Sequence, residues 1–170
     1  MALDPPIVLG IDPGLRVTGW GVVGVSNGEL RALANGALSL RGDRRPEERL
    51  HHIFRELCAV IERWRPGEVA VESAFVGENA RSAFAIGEAR AVALLAAAQA
   101  GLPATPYTPA EVKLAVAGYG RSDKAQVQKL VCVQLGIVEP PSSVDATDAL
   151  AVALCHYLRR QADARLKEAR

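Results

Sequence analysis

Two short apolar runs, each stopped by a carboxylate, constrain the fold of this chain more than any other feature. Residues 7–11 (Ile-Val-Leu-Gly-Ile) end at Asp12, and residues 69–71 (Val-Ala-Val) end at Glu72. Such runs suit buried strands inside a sheet whose faces carry helices. An acid at the end of a buried element is costly unless something pairs with it. Asp145 and Asp148 add two more acids at the head of the apolar, helix-like stretch 146–158.

The remaining pattern orders the elements around these runs. After the strand at 7–12, a turn over 14–19 leads to a returning strand at 20–25. Asn27-Gly28 then signals a tight turn into a third strand at 30–40, with Leu30, Ala32 and Ala34 on one side. Asp43 offers an N-cap for an amphipathic helix over 46–64, where Leu50, Ile53, Phe54, Leu57, Ile61 and Trp64 recur at helical spacing. Pro66-Gly67 marks its end. A strand at 68–72, a long helix at 79–100 and a strand at 103–107 follow. Next come a short helix at 109–116, another capped by Ser122 and running to Leu135, and a last helix at 144–161 with a charged, fraying tail. The order βββαβαβ plus helices predicts an α/β fold: a mixed five-stranded sheet, its first three strands antiparallel, flanked by helices. No repeat or long linker divides the chain, so one domain over 1–170 is expected, with its ordered core at about 7–160.

Composition narrows the function classes. Twenty Lys and Arg stand against nineteen Asp and Glu, a formal +1, so bulk charge does not drive nucleic-acid binding and any such contact needs a local patch. Lys113, Arg121, Lys124 and Lys129 face only Glu111 and Asp123 between residues 107 and 131, which supplies one. Cys58, Cys132 and Cys155 form no CxxC pair and read as buried free thiols. The N-terminus lacks a signal-peptide pattern, and the Ala-rich stretch 89–102 is too short to span a membrane; a cytoplasmic protein with no membrane partner is expected.

Asp12 and Glu72 end strands that a mixed sheet can make neighbours, and Asp145 and Asp148, at i and i+3, share one helix face. An all-oxygen set of this kind suits Mg²⁺ or Mn²⁺ rather than zinc. Two such cations would orient and activate a water and neutralise the leaving oxygen of a phosphodiester. Taken singly, Asp12 is explained as a turn residue before Pro-Gly, and either helix acid as a charge near an N-terminus. The set of four is far more specific.

Residues 10–21 (Gly-Ile-Asp-Pro-Gly-Leu-Arg-Val-Thr-Gly-Trp-Gly), 71–75 (Val-Glu-Ser-Ala-Phe) with Asn79-Ala80, and 145–151 (Asp-Ala-Thr-Asp-Ala-Leu-Ala) resemble the motifs of RuvC-type Holliday junction resolvases. The resemblance spans residues 7–158 and implies a ribonuclease-H-like fold, a homodimer, and symmetric nicking of a four-way DNA junction in recombination and repair. It makes Asp12, Glu72, Asp145 and Asp148 the metal-binding catalytic acids. Some relatives carry histidine at the position of Asp145. The implied reaction is in-line attack by a metal-activated water, leaving a 5′-phosphate and a 3′-hydroxyl. Lys113 and Lys124 match basic residues near the scissile phosphate, with Lys124 in the catalytic set.

Phe75 matches an aromatic that wedges against bases at the junction centre; by spacing alone it is slightly better explained as a core anchor. Arg16, Asn79 and Arg121 are further DNA-contact candidates, with Arg81 a weaker one. RuvA and RuvB are the implied protein partners.

Other features lead elsewhere or nowhere. Ala83, Gly87 and Ala91 form a small-residue stripe that suits packing on the sheet or a dimer interface, and the resemblance favours dimerisation. His51-His52 read as a solvated face, and Cys155 beside His156 does not make a thiol catalyst, because adjacent helix residues point apart. Gly10, Gly14 and Gly19 fail dinucleotide spacing. A YqgF-type RNA-processing nuclease shares the fold and an opening Asp-x-Gly, but the Glu72–Asn79 segment and the paired acids fit the resolvases better. Asp12-Pro13-Gly14 with Thr18 is also similar to the phosphate loop of actin and sugar kinases, whose second lobe this chain is too short to hold. A catalytically inactive junction-binding module is disfavoured by the presence of all four acids.

Overall fold

The computed structural model describes residues 6–14, 16–39, 45–73, 80–118 and 123–168. Five strands form one sheet: β1 (Val8–Asp12), β2 (Val17–Ser26), β3 (Glu29–Ser39), β4 (Glu68–Glu72) and β5 (Ala104–Tyr107), in the order β3-β2-β1-β4-β5. β1–β2 and β2–β3 are antiparallel, while β1–β4 and β4–β5 are parallel. The sheet is therefore mixed, with its first three strands antiparallel, as the sequence predicts.

Alternation along β1 divides the core. Leu9 and Ile11, with Val22, Val69 and Val71, face α1 (Pro46–Trp64) and α2 (Ala80–Gln99) through Ile53, Leu57, Ala89 and Ala93. Val8, Val23 and Ala70 face the opposite layer, which holds α3 (Pro109–Ala117), α4 (Lys124–Gln134) and α5 (Val144–Glu168). α5 is the central element of that layer, buried from Ala149 through Tyr157 without a break.

Several local expectations change. The β2–β3 turn is as expected, with Asn27 (φ 52°) and Gly28 (φ 79°) both left-handed, which suits the twist of a hairpin. Leu30, Ala32 and Ala34, however, do not share a face. Leu30 and Ala32 pack on the α5 side, and Ala34 on the α1–α2 side, because an irregularity at Val22/Val23 shifts the register and flips the pleat.

Helix ends move as well. Arg45, without a side-chain cap bond, occupies the N-cap position of α1, and Arg65 in the left-handed region (φ 46°) closes it before Pro66; Asp43 lies outside the described residues. Asp123, not Ser122, caps α4 by accepting a hydrogen bond from the Gln126 backbone N–H at 2.7 Å; Ser122 also lies outside the described residues. α5 continues to Glu168 rather than ending at residue 161, because 162–168 contain no glycine or proline to stop it. Among the described residues no helix is long and apolar enough to cross a membrane.

Candidate active site

The register of the sheet brings the first two acids together. β1 and β4 run parallel with Ile11 opposite Val71, so Asp12 and Glu72 follow at the same edge of neighbouring strands. Across the other side of β1, Asp12 faces Gly19.

Glycines then let α5 settle on this edge. A β-carbon at Gly19 would overlap the carbonyl oxygen of Asp145, and one at Gly10 would overlap that of Ala149 and lie 2.6 Å from the Ala153 nitrogen. A β-carbon at Gly21 would meet the Leu150 side chain at 2.7 Å. Bare backbone at these three positions allows the helix to lie directly on β1 and β2. Asp145 in its first turn and Asp148 just after it thereby reach the end of the sheet that carries Asp12 and Glu72.

Electrostatics record how close the four acids are. Burial, with the charges of Asp148 and Asp145, pushes Asp12 up to about 6. Burial, with the charges of Asp12 and Asp148, pushes Glu72 up to about 7, while Lys124 and Lys113 act in the opposite sense. Acids crowded and desolvated in this way lack sufficient positive charge nearby.

One cation already answers the deficit. Lys124, at the start of α4, places Nζ 2.6 Å from Oδ2 of Asp148, and this bond raises the pKa of the lysine. Gln128, one turn further on, donates from Nε2 to Oδ1 of Asp148 at 3.1 Å. Ser143 Oγ donates to Oδ2 of Asp145 at 3.1 Å. Glu72, Val112, Lys113, Lys124, Val127 and Asp148 line a cleft of about 180 Å³.

As the side chains stand, no three acids among the described residues converge tightly enough to form a ready-made cation cage. The donor chemistry nevertheless fits Mg²⁺ or Mn²⁺: four hard carboxylates on three elements, with an ammonium drawn in where positive charge is short.

Other expected site residues scatter. Arg16 is exposed in the β1–β2 connection. Phe75, Asn79 and Arg121, and the side chain of Arg81, lie outside the described residues. Cys58, Cys132 and Cys155 are free thiols, but only Cys155 is fully buried. His51 is exposed and His52 sits 4.0 Å from Glu56. On α2 the buried side is Ala89, Ala93, Ala96 and Ala97. Gly87 has open space beside it and Ala91 is exposed, so the Ala83–Gly87–Ala91 stripe does not serve packing on the sheet.

Sequence reasoning missed the role of His156. Its ring, 5% exposed, bonds through Nδ1 to the Tyr107 hydroxyl at 3.0 Å and through Nε2 to the Glu68 carboxylate, which also pairs with Arg160. Neighbouring Cys155 instead points toward the Glu111 carbonyl at 3.8 Å. A histidine inside an otherwise apolar helix stretch was the available signal; its partners on β4 and β5 appear only with the tertiary fold.

An aspartate-ended strand beside a glutamate-ended one, covered by a helix bearing two more acids, defines a nuclease of the ribonuclease-H-like class. Residues 8–156 match the family model of crossover junction endodeoxyribonuclease RuvC, and the chain belongs to that family. It is 50% identical over 148 residues to the crossover junction endodeoxyribonuclease RuvC of Chloroflexus aurantiacus, covering 87% of this chain and 90% of that protein. The corresponding protein of Moorella thermoacetica is 47% identical over 150 residues, or 88% of this chain and 90% of the relative. In structure the chain resembles T. thermophilus RuvC in complex with Holliday junction substrate, with TM-score 0.87, 35% identity, and 93% and 96% of the two chains covered. The yeast mitochondrial Holliday junction resolvase Ydc2, at 12% identity and TM-score 0.63, shares the fold.

Proposed function

We propose that this chain resolves Holliday junctions by metal-dependent hydrolysis of two symmetrically placed phosphodiester bonds, leaving 5′-phosphate and 3′-hydroxyl ends. The observation that carries the proposal is the gathering of Asp12, Glu72, Asp145 and Asp148 at one end of the sheet, beside Lys124. These four acids hold the cations and are the catalytic set. Two divalent cations, Mg²⁺ with Mn²⁺ as a substitute, would activate the attacking water and neutralise the leaving oxygen.

The chain's own residues supply orientation and charge. Lys113 and Lys124, both lining the cleft with Glu72 and Asp148, attract the scissile phosphate. Lys124 has an additional part: released from Asp148, its ammonium is available to charge developing on the phosphate. Arg16, Asn79 and Arg121 contact the DNA backbone, and Phe75 stacks on a base at the junction centre.

A homodimer is proposed because two nicks need two facing sites, and the outer side of α2 supports it. Phe84 and Leu95 are 71% and 58% exposed, and with Gly87 and Ala91 they follow helical spacing along one stripe. RuvA and RuvB are the proposed protein partners, the cytoplasm the proposed location, and a single domain the proposed organisation.

The experiment is cleavage of a labelled four-way junction with Mg²⁺, Mn²⁺ or EDTA, comparing the wild type with Asp12→Asn. Paired, metal-dependent nicks that vanish in the variant are expected. Binding without cleavage under either metal would leave only a junction-binding protein, and preference for structured RNA would move the chain to another substrate.

A further inference from the structure

Both oxygens of Asp148 are engaged from one face of α4. Lys124 Nζ lies 2.6 Å from Oδ2 and Gln128 Nε2 lies 3.1 Å from Oδ1. The two donors are four residues apart and therefore stacked on the same side of the helix. Asp123 fixes the start of α4 through its cap, and Val127 and Val131 bury its inner face. Asp148 is held equally firmly, since Ala149 and Leu150 beside it have no exposed surface. The carboxylate side chain is 19% exposed, whereas the lysine side chain is 65% exposed.

The chemistry of the two donors differs. Lys124 brings a full positive charge and competes with any cation that approaches the same carboxylate. Gln128 brings a neutral N–H, which fixes the rotation of the carboxyl group without neutralising it. Removing the amide would free the carboxylate to turn and would leave Lys124 as the one donor from α4 that still holds it.

We infer that Gln128 is a positioning residue for the metal site, aiming Asp148 through Oδ1, while Lys124, bonded at Oδ2, would compete with a cation for the same carboxylate. The inference rests on the metal-dependent reading above. Outer groups that orient a ligand carboxylate commonly contribute 10–100-fold in metal affinity. Gln128 and Lys124 thus act in opposite directions on cation binding, although both touch the same side chain and both support cleavage.

Mn²⁺ titration of the full chain, with free ion counted by electron paramagnetic resonance, separates the roles. The variants are Gln128→Met, which keeps length and loses the donor, and Lys124→Met, which keeps length and loses the charge. Unfolding midpoints in EDTA monitor the fold of each. The dissociation constant for Mn²⁺ is expected to rise about 10-fold in Gln128→Met and to fall in Lys124→Met. Wild-type affinity in a folded Gln128→Met, or weakening of equal size in both variants, would overturn the inference while leaving the metal reading intact. If the wild type itself binds no Mn²⁺, the metal reading fails and this inference fails with it.

Discussion

The backbone of Gly19 lies directly beneath the carbonyl of Asp145, with no room between them for a β-carbon. Since Gly19 also pairs with Asp12 across the sheet, one side-chain-free position sets how near the helix acids come to the strand acids. Gly19→Ala is expected to force α5 outward at a cost of about 1–3 kcal/mol, as for other overpacked sites. A shift of about 1 Å in a catalytic constellation can cost roughly 10²-fold in rate. Urea unfolding and single-turnover junction cleavage would measure the two effects, and a variant with wild-type cleavage would show that the spacing tolerates the shift.

Asp12→Asn should stabilise the metal-free chain while abolishing cleavage. The carboxyl titrates near 6 when folded against a reference of 3.8. Between these values the folded chain holds a proton that the unfolded chain has lost, so stability falls as pH rises through that window. Above it the ionised acid costs on the order of 1–3 kcal/mol, which asparagine avoids. Urea titrations in EDTA should show the variant more stable at pH 8 and equal to wild type near pH 3; a variant less stable at pH 8 would contradict this.

Cleavage should depend jointly on pH and cation concentration. Glu72 at about 7 and Asp12 at about 6 hold protons that a cation must displace. Rates at limiting Mg²⁺ are expected to fall as pH drops below about 7. Raising Mg²⁺ should move the midpoint of the profile to lower pH. An unmoved midpoint would mean that another group controls the acid limb.

His156→Ala tests the buried network that ties α5 to β4 and β5. Its loss strips a partner from the buried Tyr107 hydroxyl, at a cost of about 1–3 kcal/mol, and leaves Glu68 with Arg160. Thermal unfolding should register a clear drop in midpoint, whereas an unchanged midpoint would mean that water replaces the imidazole without loss.

Phe84→Glu together with Leu95→Glu tests the outer stripe of α2. Sedimentation velocity at micromolar concentration should show the wild type as a dimer and the double variant as a monomer. Intact dimers of the variant would place the interface elsewhere.

Much of this fold was legible because its signals are local. Asn27-Gly28 fixes a turn by backbone preference, and the apolar runs before Asp12 and Glu72 mark strands by their lack of alternation. The acids stood out because carboxylates at the ends of buried runs have no cheap local explanation. What escaped is non-local. The irregularity at Val22/Val23 depends on how β3 meets β2, and it moves Ala34 to the other face. Asp123 rather than Ser122 caps α4 because adjacent cap-forming residues compete, and composition alone does not choose between them. Gln128 looked like one more polar residue on a helix until α4 and α5 were placed side by side.

The close seating of α5 on glycines of β1 and β2 also bears on when the enzyme becomes dangerous to DNA. Two of its four acids lie beyond residue 140 and two before residue 75, and only docking between these distant parts of the chain unites them. Contacts so far apart in sequence carry a high loop-closure cost and form slowly. On the proposed reading of these acids, a partly synthesised or partly unfolded chain has carboxylates but no cutting centre. On that reading, nuclease activity is withheld until α5 has docked on the sheet.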